Sequence, residues 1–323
     1  MASKDVKEIL RPDTQAILLL CANFGLPREI EPQPLTLGEY NDLAMWLRKN
    51  QLRPADLLTT ATQNRLDDLV ETKLNPDRLL DLLERKAMLK LAVKSWTNHG
   101  IWILGRSDSE YPQGLKQQLK HFAPAIIYGV GNMDLLSAGG LAVVGSRNVD
   151  LEGIEYTKLL VQTCAAQNMQ IVSGGARGVD ITAMLGVLSA GGTAVGVLAD
   201  RLIKAHVNGF YRPGIREGRL TLVSVYDPED EFEAGKAICR NKYIYSLAEY
   251  AIVVSAAFGR GGTWIGATET LKRENSVPIF VRMQGNVPEG NQQLIKQGAK
   301  PFPETPWQGS LQALLANAAQ CEL

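Results

Sequence analysis

Six short apolar runs, Leu141–Val144, Met169–Val172, Thr193–Leu198, Leu220–Val225, Tyr250–Val254 and Val277–Val281, alternate with segments mostly long enough for helical crossovers. Several of the runs are continuous rather than alternately apolar and polar. A strand covered on both faces has no solvent side, so every position favours an apolar residue. Strands that alternate with helical segments build a parallel sheet with helices on its faces. The pattern therefore predicts an α/β, doubly wound, mainly parallel sheet.

Upstream, residues 1 to about 100 read as a small helical domain. Thr36-Leu37-Gly38-Glu39 has the form of a capping box, in which threonine and glutamate satisfy each other's orphan N–H groups at a helix start. Asn75-Pro76-Asp77 sets a capping residue before a proline at the first helical position. The residues that follow, Leu79, Leu80, Leu83, Met88, Leu91 and Ala92, keep helical apolar spacing. Such a unit packs, contacts protein or contacts DNA, and the sequence leaves these open. The run Ile101–Leu104 and Tyr111-Pro112 open the core, expected over residues 101–303, with 304–323 as a short tail.

The 323 residues suffice for one large domain or two ordinary ones. With 34 Lys+Arg against 34 Asp+Glu, the chain is not a protein that coats nucleic acid by bulk charge, although a local basic patch is compatible with that balance. No apolar run approaches the roughly 20 residues that span a bilayer, and Met1–Thr14 is charged, without an apolar leader core. Cys21, Cys164, Cys239 and Cys321 form no CxxC pair, and only His99, His121 and His206 accompany them, so no metal site is expected. The expectation is a reduced, cytoplasmic protein.

Three of the runs end in loops rich in glycine and small residues. They are Gly145-Ser146-Arg147-Asn148, Ser173-Gly174-Gly175-Ala176-Arg177-Gly178-Val179-Asp180 and Gly259-Arg260-Gly261-Gly262-Thr263. Ligands of open α/β sheets bind at the carboxyl ends of strands. Glycine lets the backbone approach an anion, consecutive N–H groups form a nest, and a following helix adds its positive end. Arg147 and Arg177 would add charge, and Ser146, Ser173 and Thr263 hydroxyl donors. The loops match neither a GxGxxG dinucleotide fingerprint nor a Walker A loop. Arg240-Asn241-Lys242 offers two cations around an amide, suited to phosphate and base-edge contacts or simply to a charged helix start. Arg201, Lys204, Arg212, Arg216 and Arg219 interleave with Phe210 and Tyr211, as a single strand requires and as a solvated loop also permits. Asp180 is placed to orient Arg177 or to cap the next helix. His206 lies in the basic stretch and reads as a phosphate contact or as no ligand at all. No catalytic set of Ser/His/Asp or Cys/His type is evident, and no cofactor is expected.

At these loops the sequence resembles the DprA/Smf family of DNA-processing proteins. The resemblance runs from Tyr111-Pro112 through Leu141–Arg147, Ser173–Asp180, Arg240-Asn241 and Gly261–Ala267 to Gly290-Asn291 and Leu294–Ala299. It implies an extended Rossmann-like fold that binds single-stranded DNA in a positively charged pocket, dimerises, helps to load a RecA-type recombinase and is not an enzyme. By motif position it implies roles for Gly145, Ser146, Arg147, Ser173, Gly174, Arg177, Gly178, Asp180, Arg240 and Asn241, with Lys242 in place of an arginine; Gly175, Gly261, Gly262 and Thr263 join them as candidate DNA or phosphate contacts from the loops themselves.

This sequence also departs from the family pattern. Met184 stands in place of a histidine, Ser255 in place of a glutamate that ends the fifth strand, and Gly-Gly-Thr-Trp in place of Ser-Gly-Ser/Ala-Leu. No Tyr-Pro element follows strand 193–198, and no winged-helix module is expected after the core. Natural transformation, repair and phage defence therefore stay open as settings. Gly261-Gly262-Thr263 with Glu269 also partly resembles the lysine-decarboxylase-like phosphoribohydrolases, at a different spacing. A mononucleotide enzyme or sensor is thus a competing expectation, and a scaffold with a vestigial pocket is a third.

Overall fold

A computed structural model describes residues 9–26, 30–71, 73–205 and 207–320. Residues 1–8, on which the expectation of no leader rests, His206 and Cys321 lie outside the described residues. Among the described residues the first α-helices with both ends described are α1 (Pro12–Cys21), α2 (Leu37–Lys49), α3 (Thr60–Gln63), α4 (Pro76–Leu83) and α5 (Lys86–Asn98). The capping box forms as expected. Thr36 N–H donates to Glu39 Oε2 at 2.8 Å, and Glu39 N–H donates to Thr36 Oγ1 at 3.3 Å. Asn75 Oδ1 accepts from the N–H groups of Asp77 and Arg78, which opens α4.

The remaining chain runs β1 (Trp102–Gly105), α6 (Gln113–Leu119), β2 (Ile126–Val130), β3 (Leu141–Gly145), α7 (Leu151–Ala166), β4 (Ile171–Ser173) and α8 (Val179–Ser189). It continues with β5 (Ala194–Leu198), α9 (Leu202–Ala205), α10 (Arg212–Arg216), β6 (Leu220–Ser224), α11 (Ala234–Ser246), β7 (Tyr250–Ser255) and α12 (Gly261–Leu271). The last elements are β8 (Ile279–Val281), α13 (Glu289–Ile295), β9 (Lys300–Pro301) and α14 (Leu311–Gln320). The six apolar runs are β3 to β8. The nine strands form one sheet in the order β1-β2-β6-β5-β4-β3-β7-β8-β9. From β6 to β9 all neighbours are parallel, whereas β1 pairs with β2, and β2 with β6, in antiparallel fashion.

Both faces of the sheet are covered, which explains the continuous apolar runs. Leu141 and Val143 of β3 face a core shared with Val161 of α7 and Val187 of α8. Ala142 and Val144 face a second core with Ile244 of α11 and Trp264 of α12. The N-terminal helices close the first core, with Leu18, Leu43 and Trp96 joining Ile126 and Tyr128 of β2. Helix α1 lies so close to β1 that a Cβ on Gly105 would stand 2.6 Å from Thr14 Oγ1. At the other end of the chain, Leu311 and Leu315 of α14 are fully buried, and Leu311 N–H donates to Gln167 Oε1 at 2.7 Å. Among the described residues, no helix is long and apolar enough to cross a membrane.

From β3 the chain steps outward through β4, β5 and β6, then returns to the other side of β3 for β7 and β8. The order therefore reverses between β3 and β7. At such a switch point the loops on the two sides diverge and leave a crevice at the strands' carboxyl ends.

Candidate nucleic-acid interface

The loops after β3, β4 and β7 meet at this crevice, and short contacts fix how they do so. Gly178 has φ +88°, and a Cβ there would stand 2.3 Å from the Ser146 carbonyl oxygen. Only glycine tolerates both that conformation and that approach. A Cβ on Gly145 would likewise stand 2.4 Å from Val179 Cγ2. Ser146 N–H donates to Ser255 O at 2.8 Å, which ties the first loop to the end of β7. The register between β3 and β7 slips by one residue at this point, between Val144 and Gly145.

Arg147 and Arg177 are both exposed on this rim. The guanidinium of Arg147 lies over the Phe232 ring, 5.4 Å from its centroid. Arg177 reaches the Asn148 side chain. The third loop adds Arg260, exposed at the N-cap of α12. Neither α12 nor α8 carries a side-chain cap at its start. At α8 main-chain carbonyls take up the first-turn N–H groups instead, Val179 N–H donating to Ser146 O at 3.4 Å and Ile181 N–H to Ala176 O at 2.9 Å, so the start of α12 is the one of the two that keeps its positive end for a ligand.

Beneath the rim, several residues expected as DNA contacts are buried and engaged within the protein. Arg240 is 4% exposed, and its guanidinium donates to the carbonyls of Gly174 and Val197 and, at 3.1 Å, to Asn241 Oδ1. It underlies the second loop and does not present its charge to solvent. Asn241 is also buried, and its Nδ2 holds the Gly262 carbonyl at 2.8 Å. Lys242 is half-buried over the rings of Tyr243 and Phe122. Ser173 is fully buried and donates to Val143 O at 2.6 Å, so its hydroxyl braces β3. Gly174 packs so tightly that a Cβ would stand 2.5 Å from Asp180 Oδ2. Gly175, at φ +67°, turns the loop beside the Tyr211 hydroxyl. Gly261 is exposed, whereas Gly262 and Thr263 are half-buried in the first turn of α12.

Asp180 does not orient Arg177. It is buried, accepts N–H bonds from Gly145 and Ala176, and faces Arg240. Burial raises its carboxyl to about 6, while Arg240, the two N–H bonds and Arg147 pull the other way. A second buried guanidinium, Arg282, donates to the carbonyls of Val254, Gln284 and Asn286 at 3.1, 3.0 and 2.9 Å.

The basic stretch after β5 is not one track. Arg201 pairs with Glu231 at 2.9 Å, whereas Arg219 donates to Leu188 O and Gly192 O at the opposite end of the sheet. Phe210 is 73% exposed and Tyr211 only 8%, so the phenylalanine alone presents its ring. Two further exposed rings, Phe232 and Phe258, were not expected from the sequence. Phe258 meets Trp264 edge-on at 5.1 Å. An aromatic directly before Gly259-Arg260 was the available signal for it. Glu269 lies on the outside of α12 and faces Arg273 at 3.9 Å.

The family model for DNA recombination-mediator protein A matches residues 102–308. The chain is 29% identical over 275 residues to Protein Smf of Escherichia coli, covering 80% of this chain and 72% of that protein. It is 28% identical over 233 residues to DNA processing protein DprA of Bacillus subtilis, covering 66% and 71%. Among solved structures, DNA processing protein A of Streptococcus pneumoniae superposes with a TM-score of 0.67 at 23% identity, covering 88% of this chain and 94% of that one. The single-stranded-DNA-binding DNA processing protein A of Helicobacter pylori superposes with a TM-score of 0.54 at 23% identity, covering 67% and 94%. The fold is thus the Rossmann-like one expected, and the match across most of the sheet and all three loops settles the family: this chain belongs to the DNA recombination-mediator protein A family.

Proposed function

We propose that the crevice binds single-stranded DNA and that the chain acts in DNA processing as a recombination mediator. The observation that carries this reading is the arrangement of three exposed arginines, Arg147, Arg177 and Arg260, on three loops around the switch point, beside the exposed rings of Phe232 and Phe258. The arginines neutralise phosphates, and the rings offer faces on which unpaired bases stack with little sequence preference. Gly145, Ser146 and Gly178 shape the loops, and the start of α12 adds its positive end. Arg240, Asn241 and Asp180 position the loops from below. On this reading the helical residues 1–100 pack against the core. The protein works as a cytoplasmic homodimer and passes the strand to a RecA-type recombinase in transformation, repair or phage defence.

The test compares oligo-dT of increasing length, duplex of equal length and mononucleotides at two salt concentrations. Affinity for oligo-dT should rise with length and then plateau, and should exceed that for duplex. Three phosphate contacts give a log–log salt slope of roughly −2, from about −0.7 per contact. Tight mononucleotide binding with no gain from length would overturn the reading in favour of a nucleotide sensor.

A further inference from the structure

A cavity of about 290 Å³ opens at the carboxyl end of β6, between the N-terminal helical residues and the sheet. Its walls include Leu37 and Ile126, the rings of Tyr226 and Tyr243, and the carboxylates of Asp227 and Asp230. None of the three rim arginines lines it. The two acids are not equivalent. Asp230 is already balanced, because the Lys236 ammonium lies 2.6 Å from its Oδ2. Asp227 is 7% exposed, and its Oδ1 accepts from Glu229 N–H at 3.2 Å. Its Oδ2 is buried and accepts no hydrogen bond among the described residues. A buried carboxylate oxygen left without a donor favours a cation nearby.

The chain itself shows which cation such a wall takes. Lys236 places a primary ammonium between the carboxylates of Asp230 and Glu233 and over the Tyr226 ring, 5.4 Å from its centroid. Tyrosine faces attract ammonium groups through the ring quadrupole. We propose that this cavity is a binding site for a small organic cation of the alkylammonium class, its alkyl part against Leu37 and Ile126 and its charge beside Asp227 Oδ2, because Lys236 and Lys242 already lie over the Tyr226 and Tyr243 rings. Apolar walls with a few convergent polar groups are the usual composition of a small-molecule site. The carboxylates repel phosphate, so the site is distinct from the DNA rim and does not depend on it.

The experiment titrates the full chain, without DNA, with n-butylammonium and with its uncharged counterpart n-butanol, followed by calorimetry and by NMR. Saturable binding of the ammonium at millimolar concentration is expected, with the alcohol at least tenfold weaker. Asp227→Asn should weaken the ammonium at least tenfold. Leu37→Trp, at the half-buried wall, should block both probes. Arg147→Glu should leave the ammonium affinity unchanged, which separates this site from the DNA reading. Equal affinity for amine and alcohol, undiminished binding by Asp227→Asn, or no saturable binding by the parent chain overturns the proposal. If Asp227→Asn does not fold, undiminished ammonium binding by Leu37→Trp overturns it as well.

Discussion

The Arg177 guanidinium donates to the Asn148 side-chain oxygen across 2.7 Å, which links the loop after β4 to the loop after β3. Because Gly178 also lies against the Ser146 carbonyl, the two loops form one unit, and the Arg177 cation is held across them. A charge held in place loses less conformational freedom on meeting a phosphate than a free side chain does.

Reversing those charges tests the unit directly. Arg147→Glu and Arg177→Glu should each weaken single-strand binding while the thermal melt stays within a few degrees, since both side chains are exposed. The alanine variants should each flatten the salt dependence by about 0.7 in log–log slope. Fluorescence anisotropy at several salt concentrations reads this out, and unaltered binding by a folded double variant would sink the assignment.

Arg240→Met should act through stability. It leaves the Gly174 and Val197 carbonyls without their donor and removes the cation facing Asp180. Breaking a buried charge pair from one side costs about 3–5 kcal/mol. A urea melt should show that loss, with weakened DNA binding following from a loosened second loop. A wild-type melt with lost binding would instead make Arg240 a direct contact.

Gly178→Ala needs both a left-handed φ of +88° and room that the Ser146 carbonyl occupies. The cost is about 1 kcal/mol or more, and the two loops must part. Gly218→Ala, at φ +69° but with nothing within 4 Å of the added carbon, supplies the control for conformation alone. The difference between the two melts measures the close approach, and equal losses would remove that explanation.

Asp180 gives the protein a pH signature. Its carboxyl rises from 3.8 to about 6 on folding, so between those values the native state holds the proton that the unfolded state has released. Stability should therefore be greatest below the window, decline as pH rises through it, and level off above about 6. Asp227, also raised to about 6 by burial, contributes in the same direction. Urea melts between about pH 4 and about pH 7 should show the decline, and Asp180→Asn should reduce it. An unchanged slope in that variant would assign the effect elsewhere.

Glu269 should prove dispensable. It points to solvent on α12, 3.9 Å from Arg273, and a general acid or base must reach the proton it transfers. Chromatography of nucleoside monophosphates incubated with the protein should show no free base. Base release abolished by Glu269→Gln would establish the phosphoribohydrolase reading.

Strands β3 to β8 were legible because two covered faces demand unbroken apolar runs. Strand β2 was not, and Gly129 explains why. It interrupts the run Ile126–Val130 and reads as a breaker, yet the Trp102 ring of β1 lies where its Cβ would be, 2.2 Å from the nearest ring carbon. The site was legible to the level of loops and not of directions. Arg147 and Arg240 are the same residue beside similar motifs, but one faces water and the other lies under a loop. Phe210 and Tyr211 are adjacent and point to opposite fates for the same reason. Only packing across the sheet decides such cases, and a linear pattern does not contain it.

Arg240 and Arg282 carry a consequence for how completely the rim can be silenced. Both sit beneath the strands' carboxyl ends and engage main-chain carbonyls whose negative ends would otherwise face an incoming polyanion. Shielded from counterions, their field is screened far less than that of exposed side chains. Each, however, already faces a carboxylate, Arg240 that of Asp180 and Arg282 that of Glu152 at 3.6 Å, so the interior adds little net field and neutralising every exposed arginine should remove nearly all of the salt-dependent attraction.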